Sequence, residues 1–113
     1  MNDMLVRAER LLALLNLGIA DALACGAITH QEAEVLLYSP GSMRFCRENG
    51  IVGDLPKAIW LGCQLESSLR LLGEENWSKL IAELRNLSIQ VLGKHASSST
   101  QLDPWWSGLP VKE

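Results

Sequence analysis

His30, Glu32 and Glu34 form the densest group of potential metal ligands in the chain. They fall at steps of two, which on a helix turns successive side chains about 200° apart, so the three cannot converge on one ion. His30 and Glu34, at i and i+4, share a face and are expected to make a solvated surface contact. His95, the other histidine, has no partner near it in sequence. Cys46 lies beside Arg44, Arg47 and Glu48, and such charge can shift a thiol, but a nucleophile also needs a positioned base and no histidine is close. The paired carboxylates Glu74 and Glu75 precede an expected helix whose dipole favours negative charge, and that structural role accounts for them. Neither the GxGxxG fingerprint nor the P-loop signature occurs. The residues thus point to no metal, no cofactor and no catalytic constellation, and the chain is read as a non-enzyme.

The elements that position these residues belong to a chain of 113 residues, 48% apolar and 20% charged, with a formal net charge of -3. That size and balance fit one soluble globular domain with a single core. The basic residues are scattered, apart from Arg7 with Arg10 and Arg44 with Arg47, and lack interleaved aromatics, which argues against nucleic-acid binding. Asn16 and Asp21 interrupt the apolar stretch 11–24, so no run reaches the roughly 18 residues of a membrane span. Asp3 and Glu9 accompany the bases of residues 1–10, and no small-residue cleavage site follows, so a signal peptide is not expected and a cytoplasmic location is. Cys25, Cys46 and Cys63 match neither a disulfide framework nor a CxxC zinc pattern, and buried reduced thiols are expected.

Leucine is the commonest residue while Val, Ile, Tyr and Phe are scarce, a composition that favours helices over strands. The pattern predicts an all-α fold, a single compact bundle of about five helices over residues 1–94, followed by an irregular tail over 95–113. The first helix, about 4–24, carries Leu5, Ala8, Leu12, Leu15, Ile19 and Ala22 at helical spacing, widened by Leu11, Leu14 and Leu17. So broad an apolar stripe predicts a central helix. Gly26 fits a left-handed C-terminal cap. Thr29 and Glu32 have the spacing of a capping box for a second helix over 30–38. Ser39 and Pro40 open a third over 40–48, ended at Asn49 and Gly50. Asp54 and Pro56 open a fourth to Leu72, with a stripe of Ala58, Leu61, Leu65, Leu69 and Leu72. Asn76 is expected to cap a fifth over 77–92, with Trp77, Leu80, Ile81, Leu84, Leu87 and Val91 on one face. Gly18 and Gly62 each sit inside a long apolar helix, where glycine costs stability, and a close crossing of the first and fourth helices would explain both.

Four of the six aromatic residues are tryptophan. Trp60, between Ile59 and Leu61, reads as core or near-core. Trp105 and Trp106 are adjacent in a segment with no period to bury them; either the tail folds back onto its own helices or the pair meets a partner.

The stretch Leu11-Leu12-Ala13-Leu14-Leu15-Asn16-Leu17-Gly18-Ile19, then Gly26-Ala27-Ile28-Thr29, Glu32-Ala33-Glu34, Leu37-Tyr38-Ser39-Pro40 and Trp60-Leu61-Gly62 with Leu65-Glu66, resembles an uncharacterised family of small helical bacterial proteins. The likeness covers about residues 11–66 and lies in packing and caps. What it implies is an immunity protein or another partner-binding accessory of bacterial toxin and secretion systems.

The function expected on these grounds is stoichiometric protein binding, most concretely neutralisation of a cognate bacterial toxin. Asp21, Glu32, Glu34 and Glu66 are the candidate acidic contacts, since many nuclease toxins are basic and complementary charge speeds encounter; the same acids also fit a plain solvated face. Trp105 and Trp106 are the candidate apolar contacts. The alternative is a secretion adaptor or chaperone presenting an apolar groove or the tryptophan tail to a client protein. A long leucine-rich helix serves a monomer's core or a symmetric dimer alike, so the oligomeric state stays open.

Overall fold

The computed structural model describes residues 3–95, and every regular element among them is an α-helix: α1 (Asp3–Ala24), α2 (His30–Leu36), α3 (Pro40–Glu48), α4 (Asp54–Cys63), α5 (Leu65–Leu72) and α6 (Glu74–Lys94). The all-α bundle is as expected. Six helices replace five because the predicted fourth breaks at Gln64. There the amide of Gln64 bonds back three residues to Leu61, and the Ser67 hydroxyl takes the Gln64 carbonyl at 3.1 Å. The Gln64 carbonyl also keeps its ladder bond from Ser68 N at 2.9 Å, so the Ser67 hydroxyl shares an acceptor already in use.

Several ends follow the local signals. Gly26, at φ 75°, takes the left-handed position, with Ala27 N bonded to Ala22 O at 2.8 Å and Gly26 N to Leu23 O at 3.1 Å, the paired bonds of a Schellman cap. Thr29 and Glu32 each accept the other's backbone N–H at 3.1 Å, closing the capping box. Ser39 caps α3 with Pro40 in its first turn. Other ends differ. Leu37 leaves helical geometry, so α2 stops at Leu36 and Tyr38 turns into the core. Gly53, not Asp54, is the N-cap of α4. Glycine at 73, φ 93°, joins α5 to α6 in a single residue, so α6 begins at Glu74 and Asn76 lies within it, donating to the Ser68 hydroxyl at 2.7 Å.

The packing centre is α6, which lies along α1, α4 and α5, rather than the expected first helix. Its predicted face holds: Ile81, Leu84 and Val91 are buried, with Trp77, Leu80 and Leu87 partly so. Leu55, Ala58, Ile59 and Leu61 of α4 and Leu65 of α5 are buried in the same core, whereas Leu72, expected in that stripe, is exposed. In α1 the buried stripe is turned from the predicted one. It runs through Glu9, Ala13, Asn16, Ile19, Ala20 and Leu23, and leaves Leu11, Leu14 and Leu15 at 65%, 53% and 40% exposure.

Antiparallel pairing of α1 with α6 explains the turn. Glu9 meets His95, Arg10 donates to the Leu92 carbonyl, Asn16 donates to Ser88, and Asp21 pairs with Arg85, a ladder that falls along α6 as it climbs α1. The phase of α1 is thus set by polar partners. No close crossing of α1 and α4 occurs at the two mid-helix glycines: a Cβ at Gly62 would overlap the Tyr38 ring, while one at exposed Gly18 would touch nothing. Gly18→Ala is therefore expected to raise stability by about 0.5–1 kcal/mol, the helix-propensity difference, and Gly62→Ala to lower it by about 1–3 kcal/mol through overpacking. Denaturant unfolding of the two variants checks this, and equal effects would contradict the seat of Tyr38 on Gly62.

Candidate functional site

The buried polar side chains come from helices that must cross the core to meet. Asn16 is fully buried; its Oδ1 accepts from the Tyr38 hydroxyl at 2.5 Å and its Nδ2 donates to Ser88 Oγ at 3.1 Å. Nε2 of His95 donates to Oε2 of Glu9 at 2.5 Å, both side chains being almost wholly enclosed. His95, placed by the sequence at the head of the tail, is instead the C-cap of α6 and part of the packed body. Among the described residues no enclosed side-chain polar atom lacks a hydrogen-bond partner, so these groups are structural ties with their bonding met.

Two of the surface depressions among the described residues are lined by candidate acids. A groove of about 700 Å³ runs between the end of α2, α3 and α4, lined by Glu34, Tyr38, Met43, Arg44, Arg47, Trp60 and Cys63. Trp60, expected in or near the core, stands on its wall half exposed, because the neighbouring positions Ile59 and Leu61 take the inward face of α4. The second feature is the outer side of α2, where Val35 is 83% exposed and Leu36 53%, next to Gln31 and Glu32 in a shallow depression.

Two of the three thiols are biased away from the thiolate. Cys46 is buried and Cys63 half-buried, whereas Cys25 is exposed, against the expectation that all three would be enclosed. Burial, and then the Glu9 carboxylate, push the Cys46 thiol up; burial, and then Glu34, push Cys63 up despite an opposing backbone hydrogen bond. Both thus favour the thiol over the nucleophilic thiolate. Burial, and then Cys63, push the Tyr38 hydroxyl well above the ordinary range.

The acidic candidates are dispersed. Asp21 pairs with Arg85 on the α1–α6 seam. Glu32 is committed to the Thr29 capping box, Glu34 lines the groove, and Glu66 is exposed in the first turn of α5. Trp105 and Trp106, with the tail residues 96–113, lie outside the described residues. His30 does not make the expected surface contact with Glu34 as its hydrogen bond; its Nε2 accepts from the Trp77 indole N–H at 2.9 Å, with the two rings edge to face. Among the described residues no three His, Cys, Asp or Glu side chains assemble into a metal site, and no helix is long and apolar enough to cross a membrane. Sequence reasoning missed Glu9 and Asn16 as buried groups. The available signal was that each is a polar residue within an apolar helix at the spacing of one heptad.

Raised values at Tyr38, Cys46 and Cys63 mean that each contributes stability which is complete below its ordinary value and is lost as pH rises towards its folded value. Stability is expected to fall once pH passes 9.0, where unfolded thiols ionise, and more steeply past 10.0, where an unfolded tyrosine does. Tyr38 is the only tyrosine. Tyr38→Phe should remove the steeper part, as followed by denaturant unfolding across a pH series, and a variant curve as steep as that of the parent would contradict it.

Neither a curated protein nor a solved structure matches the chain. A family of proteins of unknown function does, over residues 4–107, well beyond the 11–66 of the resemblance and including Trp105 and Trp106. Since that match spans nearly the whole sequence, the chain belongs to the DUF3969 family, whose function is unknown.

Proposed function

We propose that this protein is a stoichiometric protein-binding module that docks its partner on the outer face of α2, and that the partner is a cognate bacterial toxin which it neutralises in the cytoplasm as an immunity protein. The observation that carries the reading is the exposed Val35–Leu36 pair on a helix that also bears Glu32 and Glu34. Ala33 and Leu37 anchor the same helix in the core, and the Thr29 capping box holds its start, so the exposed pair is presented on a fixed support. Apolar side chains fixed beside acids suit a partner with an apolar contact and a basic rim, because the burial supplies affinity and the charge speeds encounter.

The groove beside α2 supports the second reading, a secretion adaptor or chaperone. Its half-exposed Trp60 and Met43 offer an apolar wall to a client segment, while Arg44 and Arg47 at the edge would select acidic flanks.

Co-expression with the product of the adjacent gene in a sensitive host separates the two. Under the immunity reading growth is rescued and a one-to-one complex purifies. In that complex Val35→Asp and Leu36→Asp each weaken binding about tenfold or more, with helix content unchanged by circular dichroism. A harmless neighbour whose binding is lost in Trp60→Ala and kept in Val35→Asp favours the adaptor. Rescue that is indifferent to both α2 variants removes α2 as the interface.

A further inference from the structure

We infer that the outward face of α1 is a self-association surface, on which a second copy of this chain packs antiparallel about a two-fold axis near Leu14. The proposal stands apart from the α2 interface and does not depend on it.

Met4, Leu11, Leu14 and Leu15 are exposed on the side of α1 opposite its buried Glu9–Asn16 stripe. Their spacing of three, four and seven places them in one strip along the helix. Gly18 lies in that strip with open space above it, so a second helix backbone can approach there. Charge selects both the occupant and its direction. Arg7 comes one heptad before Leu14 and Asp21 one heptad after, so they flank it on the same face at about 10.5 Å on either side. An antiparallel copy sets Arg7 against Asp21 of the partner subunit and repeats that pair across the axis, whereas a parallel copy would set like charges together. Asp21 meets its own Arg85 through Oδ1, leaving Oδ2 for a second guanidinium. The surface is complementary to itself, as a two-fold interface requires. With a few apolar side chains per copy the contact is small, so the dimer forms and dissociates with concentration.

Sedimentation equilibrium of the full chain over a concentration series tests the proposal. A monomer–dimer equilibrium is expected. Leu14→Asp, which places two carboxylates at the axis, should weaken it about tenfold or more, with helix content unchanged by circular dichroism. Arg7→Glu and Asp21→Arg should each weaken self-association, while an equimolar mixture of these two variants should dimerise, since each then offers the charge the other lacks. A chain that is monomeric throughout, or a dimer indifferent to Leu14→Asp, overturns the proposal. So does a monomer that begins to associate only when Trp105 and Trp106 are replaced by serine, a result that would assign the face to this chain's own tail.

Discussion

Two polar side chains on the inner face of α1, Glu9 and Asn16, can be enclosed only if other elements bring partners to them. Leaving a buried donor or acceptor unmet costs about 1–3 kcal/mol, more for a charged group, which is a large share of the stability of a small domain. Ser88 on α6, His95 at its C-cap and Tyr38 after α2 supply those partners. Once they are in place the antiparallel register of α1 on α6 has little freedom, because a shift of one residue would separate both ties at once. The early end of α2 and the bare backbone at Gly62 follow from the same requirement: the first releases Tyr38 from the helix, and the second makes room for its ring.

That constraint also decides what faces outward. With Glu9 and Asn16 inside, Leu11 and Leu14 must be outside, and with Leu15 they form a surface strip while Leu12 packs against the core. Likewise Trp60 is displaced to the wall of a groove when Ile59 and Leu61 take the inner face of α4. The exposed apolar groups thus sit opposite buried anchors on helices held in the core. Burial biases the thiols of buried Cys46 and half-buried Cys63 to their neutral form.

How much of this was legible in the sequence depended on the range of each interaction. The Thr29–Glu32 box, the Ser39–Pro40 start and the Gly26 stop are formed by neighbours, and a few adjacent residues suffice to read them. The inward face of α6 was also legible, since its apolar residues keep one period. The phase of α1 was not, because counting leucines cannot register a hydrogen bond from Asn16 to a serine 72 residues away or one between Glu9 and a histidine 86 residues away. Gly18 and Gly62 look alike in sequence, and only the approach of Tyr38 tells them apart. The candidate acids illustrate the same limit: Glu32 and Asp21 found partners within the chain, Glu34 reached the groove, and the exposed Val35 and Leu36 between the α2 anchors carried no sequence signal beyond an interrupted period.

Polar partners, not apolar content, orient α1, and the most direct test compares, in dilute solution, the unfolding free energies of Leu11→Gln and Asn16→Leu. A hydrophobic count predicts that the first destabilises and the second does not. Orientation by polar partners predicts the reverse: Leu11→Gln within about 0.5 kcal/mol of the parent, and Asn16→Leu lower by about 2 kcal/mol or more because the Tyr38 and Ser88 hydroxyls lose their partner. A destabilising Leu11→Gln together with a neutral Asn16→Leu would contradict it.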